Sequence, residues 1–176
     1  MLKRFFIALA VLLSIIAVIF YYKLGGSKPL TFKVTSHPTI HVMGAYFEGK
    51  YNDPQLEKLF FNARERAEAI PGAALTVVNY QNDQNHNIIK QFIGSGTRIK
   101  PQHIPDQLEL RTFARHNAIS TTIAVHNAVM PTAETVSAEA KKIAKEEGYQ
   151  IDSLSLEIYT SEWELKIIFP VKKGNK

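Results

Sequence analysis

The same order of elements occurs twice between residues 31 and 171, and few folds are open to a chain built that way. The first copy opens with extended stretches at residues 31–34 and 39–47, rich in β-branched and aromatic residues and broken at Pro38. Asp53-Pro54 then starts a helix, because Asp accepts from exposed N–H groups at the N-cap and Pro fits the first turn. Leu56, Leu59, Phe60, Ala63, Ala67 and Ile70 recur at helical spacing, and Pro71-Gly72 stops them. Strands at 74–80 and 87–93 follow, separated by a polar turn at 81–85. The second copy has strands at 108–113 and 118–126, then a helix opened by Pro131. That helix carries Ala133, Val136, Ala140, Ile143 and Ala144 on one side and ends at Gly148. Strands at 153–159 and 163–171 close it around a tight turn at 160–162. Pro54 matches Pro131, Ala63 matches Ala140, Ala67 matches Ala144, Tyr80 matches Tyr159 and Phe92 matches Phe169. Residues 94–106, rich in Gly and Pro, read as the loop joining the copies. The pattern predicts an α+β domain: a tandem β-α-β-β duplication sharing one antiparallel sheet, with two helices on one face and a groove on the other.

Ahead of the repeats lies an uninterrupted apolar run. Residues 5–22 contain no charge, Gly or Pro, and at 1.5 Å rise per residue they make roughly 27 Å of helix, near the hydrocarbon thickness of a bilayer. Lys3 and Arg4 precede it, while Tyr21, Tyr22 and Lys23 follow as an aromatic belt and a snorkelling cation. A buried core helix would show a polar face, and here Ser14 stands almost alone. A cleaved signal peptide would need a small-x-small site, which Phe20-Tyr21-Tyr22-Lys23-Leu24 does not supply. The expectation is a single-pass anchor and tether over residues 1–28, flexible at 25–29, with the folded domain at 29–176. Lys3 and Arg4 favour a cytoplasmic amino terminus and a domain on the extracytoplasmic side, an asymmetry that Lys23, Lys28 and Lys33 reduce.

Charge and composition remove several classes of function. The chain has no cysteine, hence no disulfide framework or thiolate chemistry. Of its 21 basic residues, Lys3, Arg4, Lys23 and Lys28 belong to the anchor and its flanks, leaving 17 against 16 acidic ones. That near-neutral balance predicts no nucleic-acid partner. His37 and His41 are four apart, but Pro38 and the strand context deny them a shared helix face, so no metal site is expected. No phosphate loop, nucleophile elbow or cofactor fingerprint is present, and no cofactor is expected.

Strand alternation selects the candidate site. In the last hairpin Leu154, Leu156 and Ile158 point one way, Ser155, Glu157 and Tyr159 the other. Matching the apolar set to the helices turns Glu157 and Tyr159 towards the open face, with Thr76, Val78 and Tyr80 on the equivalent surface of the first copy and Val78 in the place of Glu157. One carboxylate flanked by tyrosines suits a cationic or polar organic ligand. Two plainer accounts stand beside this one: Glu157 as a solvated residue on an exposed sheet face, or paired with Lys166 across the hairpin.

The ending Ser155-Leu156-Glu157-Ile158-Tyr159, a hairpin, then Lys166-Ile167-Ile168-Phe169-Pro170-Val171, resembles the close of the GyrI-like (gyrase-inhibitor-like) small-molecule-binding domain, which also serves some bacterial transcription activators as their AraC-type effector-binding domain. Gly49-Lys50-Tyr51 resembles its G-x-Y turn. The second copy departs from the pattern with His126-Asn127-Ala128-Val129 at the matching place. The resemblance implies a ligand groove between pseudo-symmetric halves, in which Glu157 and Tyr159, with Tyr80, Tyr51 and Trp163, hold an amphiphilic or cationic molecule. A membrane anchor stands where a DNA-binding helix-turn-helix would precede such a domain in an activator. The sequence therefore reads as a membrane-anchored, non-enzymatic small-molecule binder. Hydrolysis of a reactive small molecule by Glu157 with Tyr159 or Tyr80, and a protein-interaction surface on the open sheet face, are the competing readings.

Overall fold

The computed structural model describes residues 2–80, 88–161 and 163–174; the turn expected at 81–85, Asn87 and Glu162 lie outside them. The Asp53-Pro54 start works as the sequence predicts. Asp53 keeps extended backbone and accepts from the Gln55 N–H at 2.8 Å, and α2 (Pro54–Ala69) begins at the proline. At the second helix the cap is Thr132 rather than Pro131: its hydroxyl accepts from the Thr135 N–H, and α3 (Ala133–Glu146) follows. Gly148, at φ 71°, provides the left-handed residue that ends it.

An apolar helix, α1 (Leu2–Lys23), precedes the domain. It is long and apolar enough to cross a membrane, and its span is not buried by the rest of the chain. The link after it is less free than its glycines imply. The His126 N–H donates to the Leu24 carbonyl (3.1 Å), Lys28 Nζ donates to the Ala124 carbonyl (3.1 Å), and Gly25 is buried against Val125.

The strands are β1 (Phe32–His37), β2 (Ile40–Gly49), β3 (Ala74–Tyr80), β4 (Ile89–Thr97), β5 (Glu109–Phe113), β6 (His116–Ile123), β7 (Tyr149–Ile151), β8 (Leu154–Ser161) and β9 (Glu164–Lys173). All pairings are antiparallel, in the order β1-β6-β9-β8-β3-β4-β2-β5, with the short β7 on the end of β9. The order β6-β9-β8 mirrors β2-β4-β3, so the duplication is real and the two copies meet at the β3–β8 seam. Each copy's leading strand crosses over: β1 lies on β6, and β5 lies on β2.

That exchange bends the sheet. Only Pro38 and Thr39 separate β1 from β2, yet six strand spacings, about 29 Å if flat, lie between them in the order. Two residues reach no more than about 10 Å. The sheet must therefore curl until its ends meet, and the inside of the curl becomes a core. Val42, Val78, Phe92, Leu156 and Ile168 pack there, all fully buried.

This reverses the face assignment expected from the sequence. Leu154, Leu156 and Ile158 face the inside of the curl, not the helices. The helices sit on the other face. There α2 packs Leu56 and Ala63 on Phe47, Val77 and Ile93, and α3 packs Val136, Ala140 and Ala144 on Ile119, Leu165 and Phe169. Both faces of the sheet are covered, so apolar alternation alone does not say which set meets the helices. The two copies are also out of step with the alignment drawn from their tyrosines. Val77, not Val78, is the register partner of Glu157, and Val78 pairs with Leu156. Phe92 lies inside the curl while Phe169 lies under α3. The inserted β7 changes the spacing between helix and strand in the second copy, and a shift of one residue moves a side chain to the opposite face.

Glycines 94 and 96, read as loop, belong to β4. Gly94 is the register partner of Gly44, and a methyl group on either would run into backbone of the other strand, at the Ile93 or Met43 carbonyl. Glycine here permits close approach rather than a turn.

A candidate ligand groove between the two helices

Where α2 and α3 stand apart, the sheet between them is the floor of a groove of about 540 Å³. Glu157 lies in that floor, placed by the β3–β8 seam. Its carboxylate is held from both sides: Asn79 Nδ2 donates to Oε1 at 2.9 Å, and the Tyr159 hydroxyl donates to Oε2 at 3.0 Å. Gln91 Nε2 donates in turn to Asn79 Oδ1 at 2.7 Å, so three strands position one acidic group. Asn79, Glu157 and Tyr159 share this face because residues two apart on a strand point the same way, and the seam aligns the two strands.

Burial raises the Glu157 carboxyl above its usual range, although the hydrogen bonds from Tyr159 and Asn79 oppose that rise. Burial and the adjacent Glu157 also push the Tyr159 phenol upwards, so it stays a donor. Phe60 from α2 and Val136 from α3 wall the groove, with Met130, Ile123, Ile167 and Phe169 giving it an apolar lining. Its charged lining consists of Glu157 and Glu134; among the described residues no Lys or Arg lines it.

The five residues selected from the sequence do not all converge. Glu157 and Tyr159 are adjacent in the floor. Tyr51 lies at the mouth, exposed, where the Gly49-Lys50-Tyr51 turn leads into α2. Tyr80, the last residue of β3, borders the groove but belongs to the other face, where its hydroxyl accepts from Arg111 Nη1 at 2.8 Å. The Arg111 guanidinium lies over the Phe92 ring at 4.2 Å from its centroid, with Tyr46 and Tyr80 alongside. Trp163 is elsewhere: it stacks on His126 at 4.9 Å beside Lys23 and Leu24 and does not line the groove. Lys166 pairs in register with Ile158, on the face opposite Glu157, so the cross-hairpin ion pair does not form. Sequence reasoning missed Asn79 and Gln91. The first copy's polar residue two places after Val77 was the available signal, hidden by the one-residue misalignment.

No protein-family model and no curated protein matches this sequence. Solved structures resemble it. The EcmrR C-terminal domain has a TM-score of 0.58 at 14% identity, covering 82% of this chain and 98% of that one. EcmrR from a cryo-EM complex with DNA gives 0.60 at 15% identity, over 98% of this chain and 69% of that one. A hydrolase from Listeria innocua gives 0.55 at 11%, over 81% and 92%. At these identities the likeness is one of fold. Beyond α1 the chain thus shares the fold of the EcmrR C-terminal domain, in keeping with the fold expected from the resemblance to GyrI-like domains.

Proposed function

We propose that this protein binds an amphiphilic organic cation in the groove between α2 and α3. The observation that carries this reading is an acidic side chain at the floor of an apolar groove without a compensating cation among the described lining residues. Asn79 and Tyr159 both donate to the carboxylate, which leaves it fixed and still short of positive charge. An incoming ammonium group supplies that charge, and the apolar walls take up the rest of the molecule. Equilibrium dialysis of the full chain in detergent with a series of aromatic quaternary ammonium ions tests this. Saturable binding at one site per chain supports it, and absence of saturable binding contradicts it.

A second reading rests on the same pair. A carboxyl raised by burial and hydrogen-bonded to a phenol is equipped to act as a general base. Tyr80 has no part in that chemistry, since its hydroxyl serves Arg111. Turnover of a reactive ester by the wild type and its loss in Glu157→Gln would favour hydrolysis; binding without turnover favours the binder.

Residues 1–28 act in this reading as a single-pass anchor that holds the domain, residues 29–176, at a membrane surface on the extracytoplasmic side. Retention in the membrane after alkaline carbonate extraction tests the anchor. Since the chain has no cysteine, a Ser153→Cys variant labelled in intact cells by a membrane-impermeant maleimide tests the side.

A further inference from the structure

The curl of the sheet has a second concavity, on the face away from the helices. It measures about 480 Å³ and is bordered by Thr35 and His37 of β1, Thr76 of β3, Arg98 after β4, and Thr160 and Lys166 of the last hairpin. This is where the two ends of the sheet are joined. His37 and His116 are register partners there, and their rings stack with centroids 6.3 Å apart. His37 is 5% exposed, and its Nε2 has no hydrogen-bond partner among the described residues. An unpartnered ring nitrogen at the border of a cavity calls for a partner that the described residues do not supply.

The charges around it have one sign. Lys166 and Arg98 make no ion pair among the described residues, and the charges acting on His37 are those of Lys166, His116 and Arg98. Burial first, and then the neighbouring Lys166, His116 and Arg98, hold His37 down to about 4, so it is neutral near pH 7 and free to donate one N–H. Of the described carboxylates in the last hairpin, Glu157 lies on the opposite face and Glu164 accepts from Thr160 Oγ1 at 2.6 Å; neither is among the groups acting on His37.

We propose that this cavity is an anion site, taking a phosphate or carboxylate group between Arg98 and Lys166 with His37 as a neutral hydrogen-bond donor, independent of the groove on the other face. Such an oxyanion has two sources. One is a free small molecule. The other is the headgroup of an acidic phospholipid, because the hairpin that supplies Thr160 and Lys166 carries Trp163 at its turn, beside Lys23 and Leu24 at the end of α1.

Inorganic phosphate titrated into the full chain in phosphatidylcholine nanodiscs, at fixed ionic strength in chloride, tests the site. The expected result is saturable binding that shifts the His37 imidazole ¹⁵N resonances. Arg98→Gln/Lys166→Gln should weaken it at least tenfold while leaving the groove's affinity for a cation unchanged. Arg98→Gln alone, on an exposed side chain, should weaken it by a smaller factor and remains readable if the double variant does not fold. With phosphatidylglycerol in the disc, unchanged phosphate affinity identifies a free oxyanion, and competition with phosphate identifies the headgroup. Equal phosphate affinity in wild type and Arg98→Gln, or His37 resonances unmoved by phosphate and by phosphatidylglycerol alike, would overturn the proposal.

Discussion

Val77 stands opposite Glu157 in the β3–β8 ladder, so the two copies of the repeat meet at one fully buried apolar side chain and one acidic one. The first copy thus gives the seam a packing residue and the second gives it a charge. From that asymmetry the groove acquires an electrostatic direction that a perfectly repeated sheet would lack.

The hydrogen bonds to the carboxylate make it usable. Tyr159→Phe removes a donor to Oε2, and Asn79→Ala removes the donor to Oε1. Either change should raise the Glu157 pKa further, because a hydrogen bond to the charged form is lost. Cation affinity at pH 7 should fall by roughly three- to tenfold, in line with about 1 kcal/mol for a lost hydrogen bond. The pH at which binding is half lost should move upwards, as measured by titrating affinity against pH. A lower affinity with no movement of that midpoint would assign these residues to shape alone.

Glu157 also sets a conflict between binding and stability. Its folded pKa is raised above the unfolded value, so its favourable contribution is present below the ordinary carboxyl range and is lost as pH rises through the folded pKa. At pH 8 the native state must hold a carboxylate that burial disfavours. Glu157→Gln should therefore melt close to the wild type at pH 4 and above it at pH 8, measured by thermal unfolding at both values. A variant less stable at pH 8 would mean that the two hydrogen bonds outweigh burial.

Much of this architecture was legible in the sequence, for identifiable reasons. The Asp53-Pro54 cap, the apolar stripe of α2 and the alternation of the last hairpin each express a local rule, and each predicts the element found. What failed depended on tertiary closure. Glu157 and Tyr159 share a face, as the alternation requires, but which face carries the helices depends on the exchange of β1 and β5 that curls the sheet. Gly94 reads locally as a chain breaker, and only its pairing with Gly44 reveals why a strand contains it. Tyr80 and Tyr159 match in the linear alignment, yet the inserted β7 puts them on opposite faces. Asn79 was missed for the same reason.

The Gly44–Gly94 contact should be intolerant of any side chain. Gly44→Ala places a methyl group against the Ile93 carbonyl, where backbone rather than a flexible side chain must move. Overpacking of this kind costs about 1–3 kcal/mol. Urea unfolding should show the midpoint reduced accordingly, whereas Gly72→Ala, where open space surrounds the added carbon, should reveal the separate strain of a positive φ of 78°. A silent Gly44→Ala would mean that β2 and β4 lie farther apart than described.

His37 should make the domain sensitive to acid. Its folded pKa of about 4 lies below the ordinary 6.5, so the unfolded chain binds the extra proton between those values. The stability that comes from keeping His37 neutral is complete above pH 6.5 and is lost as pH falls towards 4. The difference in unfolding free energy between wild type and His37→Gln, in chloride buffer, should change with pH inside that window by up to about 1.4 kcal/mol per unit. A difference independent of pH would show that His37 titrates normally.

A carboxylate fixed by Asn79 and Tyr159 should select for positive charge. Calorimetry of one aromatic quaternary ammonium ion and its neutral carbon isostere, with wild type and Glu157→Gln, tests that selection most directly. The prediction is at least a tenfold preference for the cation in the wild type, about 1.4 kcal/mol, which disappears in the variant while the neutral isostere binds both equally. Equal affinity of the wild type for the cation and its isostere, or a preference that survives Glu157→Gln, would contradict it.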